Sequence, residues 1–135
     1  MIQKIQNRRG GFTLVEIMIV VAIIALLAAI AVPNFLRARK RSQATRILED
    51  LVQLDHAVDQ YAIDNGETSG MNPGFSDLAN YIKTGTILQT TGQDLFSDSY
   101  GPFTVDAILH VPANAYTTLS DVAPAPFWSP YITGT

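Results

Sequence analysis

One carboxylate, Glu16, stands five residues beyond Gly11 at the head of an apolar block, and its placement is the most chemically loaded in the chain. From Ile17 to Val32 sixteen consecutive residues are apolar. A carboxylate near the centre of a bilayer costs about 2.5 to 3.5 kcal/mol and persists mainly where it has a function. Glu16 therefore needs a cationic partner. The other reactive groups offer less. There are two histidines, His56 and His110, and no cysteine, which removes thiolate metal sites, cysteine nucleophiles and disulfide staples. Neither histidine adjoins a nucleophile signature, no Gly-rich phosphate loop occurs and the acids are scattered, so no catalytic constellation is expected. Asp94, Asp98 and Asp106 are oxygen ligands of the kind calcium takes. Their spacing matches no calcium loop, and an ordinary acidic surface is the competing reading.

The elements that must position Glu16 follow from charge and hydropathy. Residues Met1 to Gly10 carry Lys4, Arg8 and Arg9 without an acid, the composition of a short cytoplasmic lead-in held by the membrane potential and anionic lipid. Phe12 to Val32 would rise about 31 Å as a helix, enough to span a bilayer. Ala25, Ala28, Ala29 and Ala31 place small side chains at helical spacing, where neighbouring helices can approach closely. The same segment admits a secretory signal peptide cut after Ala31, because Ala29-Ile30-Ala31 is a small-x-small pattern. The length of the apolar block and the glutamate near its start argue against that reading. Counting cations does not settle orientation, since Arg37, Arg39, Lys40 and Arg41 follow the segment and outnumber the three that precede it.

Beyond the apolar block, Pro33 withholds an N–H and crowds the carbonyl of Ala29, so the helix is expected to kink or loosen there. Ala44, Ile47, Leu48, Leu51, Leu54, Val58, Tyr61 and Ala62 then recur at three- and four-residue spacing, the apolar stripe of an amphipathic helix. Arg46 and Asp50 form an i,i+4 pair on the other side, and Asn65-Gly66 supplies the stop. From Glu67 onward the composition shifts to Gly, Pro, Ser, Thr and Asn. Ser76 to Ile82 reads as a brief helix capped by Ser76. Phe103 to Val111 reads as a strand by strict alternation, with Thr86 to Thr90 and Ala115 to Leu119 as weaker strands. About 70 residues without a disulfide bury too little surface alone, so the stripe is expected to pack against this head. The fold class expected is α+β, a long N-terminal helix, transmembrane then amphipathic, on a small antiparallel β-sheet head. Eleven acids face the single Lys83 from Ile47 onward, which argues against nucleic acid as a partner.

Gly11-Phe12-Thr13-Leu14-Val15-Glu16, after a basic leader and before an apolar helix with Pro33 beyond it, resembles the N-terminal signature of type IV pilins and type II secretion pseudopilins. The resemblance covers about the first half of the chain. It implies cleavage behind Gly11 by a prepilin peptidase, methylation of the new N-terminal residue Phe12, and retention of Glu16. It divides the chain into a leader (1–11), a transmembrane helix (12–32), an amphipathic helix (33–65) and a head (66–135). The cut creates a cationic amine on Phe12. Glu16 of one subunit then pairs with the Phe12 amine of another in a filament, or with its own Phe12 amine one turn away. The partners implied are copies of the chain, other pilin-like subunits, the peptidase, an inner-membrane assembly platform and membrane lipid. The resemblance also implies a single-pass inner-membrane protein with a cytoplasmic N-terminus, a filament in the periplasm or at the cell surface, a Pro33 that lets the helix unwind on packing, and no catalytic role. Asp98-Ser99-Tyr100-Gly101-Pro102-Phe103 is similar to a run that major pseudopilins carry before a strand, one residue shorter, and some members bind calcium in distal loops. The competing class is a membrane-anchored or signal-peptide-released binding module that forms no filament.

Overall fold

Helix α1 runs from Leu14 to Asn65 with Pro33 inside it. The structure, a computed structural model, describes residues 10–132. Of the expected leader only Gly10 and Gly11 are described; the remainder, and positions 133–135 of the head, lie outside the described residues. The chain divides into two compact units, the first ending at Leu36 and the second beginning at Arg37. In the first, every described residue is exposed, including all sixteen of the block Ile17 to Val32. Leu14–Asn65 contains a window long and apolar enough to cross a membrane, and none of that window is buried in protein. An apolar helix bare on all sides is stable in lipid and not in water.

The second unit forms because α1 is two-faced from Ala44 onward. Ala44, Ile47, Leu51, Leu54, Ala57 and Val58 are buried, and Leu48, Tyr61 and Ala62 pack at the margin. The expected stripe is therefore the observed one, with Ala57 added. Each fully buried Ile or Leu contributes about 1.5 to 3 kcal/mol. The helix ends in a Schellman turn: Gly66 takes φ +65° and Glu67 N–H donates to the Ala62 carbonyl at 2.9 Å, which occupies a carbonyl that the helix leaves open.

The head that covers this stripe contains no β-strand among the described residues; its only ladder contact is one antiparallel bridge, Gln93 to Ser99. This corrects the expected antiparallel sheet. The head is made of short helices, α2 (Phe75–Leu78) continuing into a 3₁₀ turn (Ala79–Tyr81), α3 (Ile87–Thr91) and α4 (Ala113–Thr118), with a second 3₁₀ turn at Ala125–Trp128. Phe103, Val105, Leu109 and Val111 are buried as the alternation predicts, but Ala107 is exposed. Their backbone finds separate partners in place of a ladder. Val105 exchanges bonds with Gly70 and Met71, and Val111 N–H donates to the Tyr131 carbonyl. Asp106, at φ +62°, turns the chain between them.

The two weaker strand candidates are helical. Thr86 Oγ1 accepts the Gln89 N–H at 3.2 Å and Gly92 closes α3 at φ +64°, so Thr86 serves as a cap, while the Thr90 and Thr91 hydroxyls donate to the Ile87 carbonyl one turn back. Ala115 and Leu119 are buried four residues apart, the helical repeat, just behind Pro112. The helix expected at Ser76 exists, but its cap is Gly74, whose N–H donates to Asp77 Oδ2 at 2.9 Å. The Pro-rich tail folds inward. Trp128 is fully buried and its Nε1 donates to the Ala123 carbonyl at 2.9 Å.

Candidate processing and assembly site

Gly10 and Gly11 lie in an irregular, exposed stretch before α1. A Cβ built on either would meet nothing within 4 Å. The fold of this chain therefore places no steric demand for glycine at position 11. Phe12 follows, 85% exposed.

Thr13 and Glu16 then start the helix together. Glu16 N–H donates to Thr13 Oγ1 at 3.2 Å, and Glu16 Oε2 accepts the Thr13 N–H at 2.8 Å. This is a reciprocal capping box, in which two of the donors stranded at a helix N-terminus are satisfied. Its acid also lies at the positive end of the helix dipole. The partner expected for Glu16 is the Phe12 nitrogen. The carboxylate instead takes the adjacent N–H, that of Thr13, and among the described residues only Oε2 is engaged. The signal is present as Thr13-Leu14-Val15-Glu16, the Ser/Thr-x-x-Glu pattern, and the membrane setting of the acid outweighs it in a reading of the sequence.

Two head tyrosines fasten to acids on α1, and sequence reasoning missed both. Tyr100 Oη donates to Asp50 Oδ2 at 3.2 Å, and Tyr131 Oη donates to Asp55 Oδ2 at 3.3 Å. Burial raises the Asp50 carboxyl above its ordinary range, while the Tyr100 bond and then the Arg46 charge oppose the rise. Burial, followed by Asp50, raises the Tyr100 phenol, and burial, followed by Asp55, raises that of Tyr131. Arg46 and Asp50 do not form the ion pair expected of their spacing. The one ion pair among the described residues joins Lys40 to Asp121 at 3.0 Å.

Of the three candidate calcium ligands, Asp94 and Asp98 lie together and Asp106 lies apart. Asp94, 6% exposed, accepts the Phe96 and Asp98 N–H groups on Oδ1 at 2.8 and 2.9 Å, and its Oδ2 and the Oδ2 of Asp98 are buried without a partner. Burial raises the Asp94 carboxyl more than these two bonds lower it. Asp106 is not with them; it lines a shallow groove with Asp59 and Glu67. No group of three or more metal-ligating side chains is found among the described residues. His56 is exposed, and His110 Nδ1 lies 2.7 Å from the Ile132 carbonyl.

Known proteins resemble part of the chain. The family model described as the prokaryotic N-terminal methylation motif matches residues 6–32, which contain Gly11, Phe12 and Glu16. The type II secretion system core protein G of Escherichia coli is 35% identical over 91 residues, covering 60% of this chain and 63% of that protein. The core protein G of Vibrio cholerae is 39% identical over 75 residues, covering 56% and 51%. Fimbrial protein Q of Moraxella bovis is 40% identical over 86 residues, covering 64% and 52%. The chain thus spans about half the length of the curated relatives it matches. No solved structure matches it significantly. By the methylation motif and by these relatives, part of the chain is similar to type II secretion core proteins and to a fimbrial protein.

Proposed function

We propose that the chain is a structural subunit that polymerises, after cleavage behind Gly11, into the pseudopilus of a type II secretion system or into a type IV pilus, and that it performs no catalysis of its own. The observation that carries this reading is Glu16 in a capping box at the head of a bare apolar helix, inside the segment that the methylation motif matches. Cleavage turns Phe12 N into a cationic amine, and methylation keeps the charge. That amine is the opposite that a membrane carboxylate lacks, and pairing relieves the desolvation of both. Pairing between neighbouring subunits sets their register. Breaking the Thr13 bond to free Glu16 is offset by the stronger, charge-assisted bond to the amine.

The same reading places the leader in the cytoplasm, the apolar half of α1 in the inner membrane and the head outside. A prepilin peptidase, an assembly platform and other pilin-like subunits complete the partners. Pro33, which offers no N–H to the Ala29 carbonyl, gives α1 a place to bend as subunits pack. Intact mass and N-terminal sequencing of the chain from its native membrane test the proposal: the expected product begins at N-methylated Phe12. A product beginning at Val32 identifies signal-peptide release and a module that forms no filament.

Calcium is a subsidiary proposal. Asp94 Oδ2 and Asp98 Oδ2 are buried and lack donors, and a hard cation is the ligand such oxygens take. Asp106 plays no part in it. A rise in melting temperature at millimolar calcium that Asp98→Ala abolishes supports the site; no shift ends it.

A further inference from the structure

A groove along α1 leads to a carboxylate that the head leaves half unused. It runs between α1 and α3, with Ser42, Thr45, Glu49 and Gln53 on one side and Thr86 and Ile87 on the other, and encloses about 510 Å³. From Ser42 to Gln53 the helix rises about 16 Å, the length of about five extended residues. A narrower recess of about 160 Å³ adjoins it, sharing Arg46, Asp50, Ile87 and Leu88 and adding Gln93, Asp94 and Leu95. Ile87 and Leu95 are exposed apolar side chains of this recess, and Leu88 is buried. Asp94 is 6% exposed, and its Oδ2 is buried without a hydrogen-bond partner. Asp50 spends Oδ2 on Tyr100, and among the described residues nothing donates to its Oδ1. Burial raises both carboxyls, and the charge of Asp94 adds to the rise at Asp50. A buried carboxylate oxygen without a donor is costly until one is supplied.

We propose that this recess seats the lysine side chain of an extended segment of another protein, whose backbone lies along the groove. Ile87, Leu88 and Leu95 suit the apolar stem of lysine, and Asp94 Oδ2 with Asp50 Oδ1 suits its ammonium, a compact head with three donors. Arginine is the poorer fit, because its planar fork calls for two oxygens of one carboxylate and Asp94 has a single free one. Arg46 is the one cation lining groove and recess, against Glu49, Asp50 and Asp94, so the balance of charge favours a cationic guest. Exposed on the rim, Arg46 is placed to donate to a backbone carbonyl of the segment, and Ser42, Thr45 and Gln53 offer that backbone further donors and acceptors. A calcium ion between Asp94 and Asp98 would compete for the same Asp94 oxygen, but the lysine site needs Asp50 and not Asp98. One copy of the chain supplies the whole site, so it goes beyond the assembly reading and needs no filament.

The test titrates the purified full chain, in detergent micelles with chelator, against the end-blocked fluorescent peptide Ala-Ala-Lys-Ala-Ala and follows its anisotropy. Saturable binding is expected, at least about tenfold tighter than that of the same peptide with norleucine in place of lysine. Asp94→Asn keeps the oxygen that accepts from Phe96 and Asp98, and it should weaken binding of the lysine peptide by about the same factor. Asp98→Ala should not weaken it. Trp128 fluorescence checks that each variant is folded. Equal binding of the two peptides, or undiminished binding by Asp94→Asn, overturns the proposal. A loss in Asp98→Ala as large as that in Asp94→Asn assigns the effect to the loop around them and overturns it equally. Lys83 is the only lysine beyond Ile47. Tighter peptide binding by Lys83→Gln than by wild type would mean that the Lys83 of a second copy already fills the recess, and it would overturn the assignment to a different protein.

Discussion

Replacing Tyr100 with Phe isolates one hydrogen bond in the seat of the head on α1. The ring is buried and stays in place; what leaves is the hydroxyl that donates to Asp50 Oδ2 at 3.2 Å. A hydrogen bond to a charged group contributes about 1.5 to 3 kcal/mol, and the length and partial exposure of this one place it near the lower end, about 1.5 kcal/mol. In a domain of roughly 100 residues each 1 kcal/mol moves the midpoint by about 4 to 8 °C, so the variant should melt about 6 to 12 °C lower near pH 7. The loss should depend on pH. Because the Asp50 carboxyl is raised above its ordinary value of 3.8, the folded chain binds this proton more tightly than the unfolded chain does. The cost of keeping Asp50 ionised is thus present at neutral pH and is relieved as pH falls through the folded value toward 3.8. Without the opposing Tyr100 bond the variant carries a larger cost and recovers more of it, so the gap to wild type narrows near pH ~4. Thermal unfolding of the full chain in detergent micelles, followed by the fluorescence of Trp128, measures both values. A gap of equal size at both pH values would assign the loss to packing and refute the role given to Asp50.

Three further outcomes follow from the same packing. Leu54→Ala, at a fully buried position, should cost about 2 to 5 kcal/mol in denaturant titration, whereas Ile63→Ala, 76% exposed on the same helix, should stay within about 0.5 kcal/mol. Gly92→Ala should destabilise by more than the roughly 1 kcal/mol of a strained left-handed residue, because its φ is +64° and a Cβ would stand 3.0 Å from the Phe75 ring; a smaller loss would mean that the ring yields. In the absence of calcium, Asp94→Asn should stabilise the head at neutral pH by about 1 kcal/mol, since it removes a buried charge whose pKa is raised and retains the oxygen that accepts from Phe96 and Asp98; urea unfolding in chelator reads this, and a loss would show that the charge itself is needed.

The half of the fold governed by periodicity was legible in the sequence. A run of sixteen apolar residues and a helical stripe leave α1 few alternatives, and Asn65-Gly66 marks its end where the Schellman turn forms. The head was legible in burial but not in backbone. Alternation from Phe103 to Val111 reports which side chains go inward, and four of the five do. It says nothing of whether a partner strand exists, and here the backbone bonds go one at a time to Gly70, Met71 and Tyr131. The threonines of 86–91 mislead because β-branching and capping use the same residue types, and Gly92 is what decides between them. At the candidate site one contact was not legible. Glu16 and Phe12 stand out from the motif, while the Thr13 cap needs the local Thr-x-x-Glu signal to be weighed on its own. The tyrosine anchors on Asp50 and Asp55 join residues 50 and 76 positions apart, beyond the reach of any local pattern.

The claim on which the account stands is that Glu16 serves assembly and not merely the helix start. Filament yield, measured by electron microscopy of sheared cell-surface fractions beside the processed mass of the same protein, tests it most directly in Glu16→Gln. Gln preserves the capping box, since its carbonyl oxygen still accepts the Thr13 N–H, but it removes the charge that the Phe12 amine needs. The account predicts a chain cut behind Gly11 and present in the membrane, with filaments lost. Filaments at wild-type yield from Glu16→Gln would contradict it.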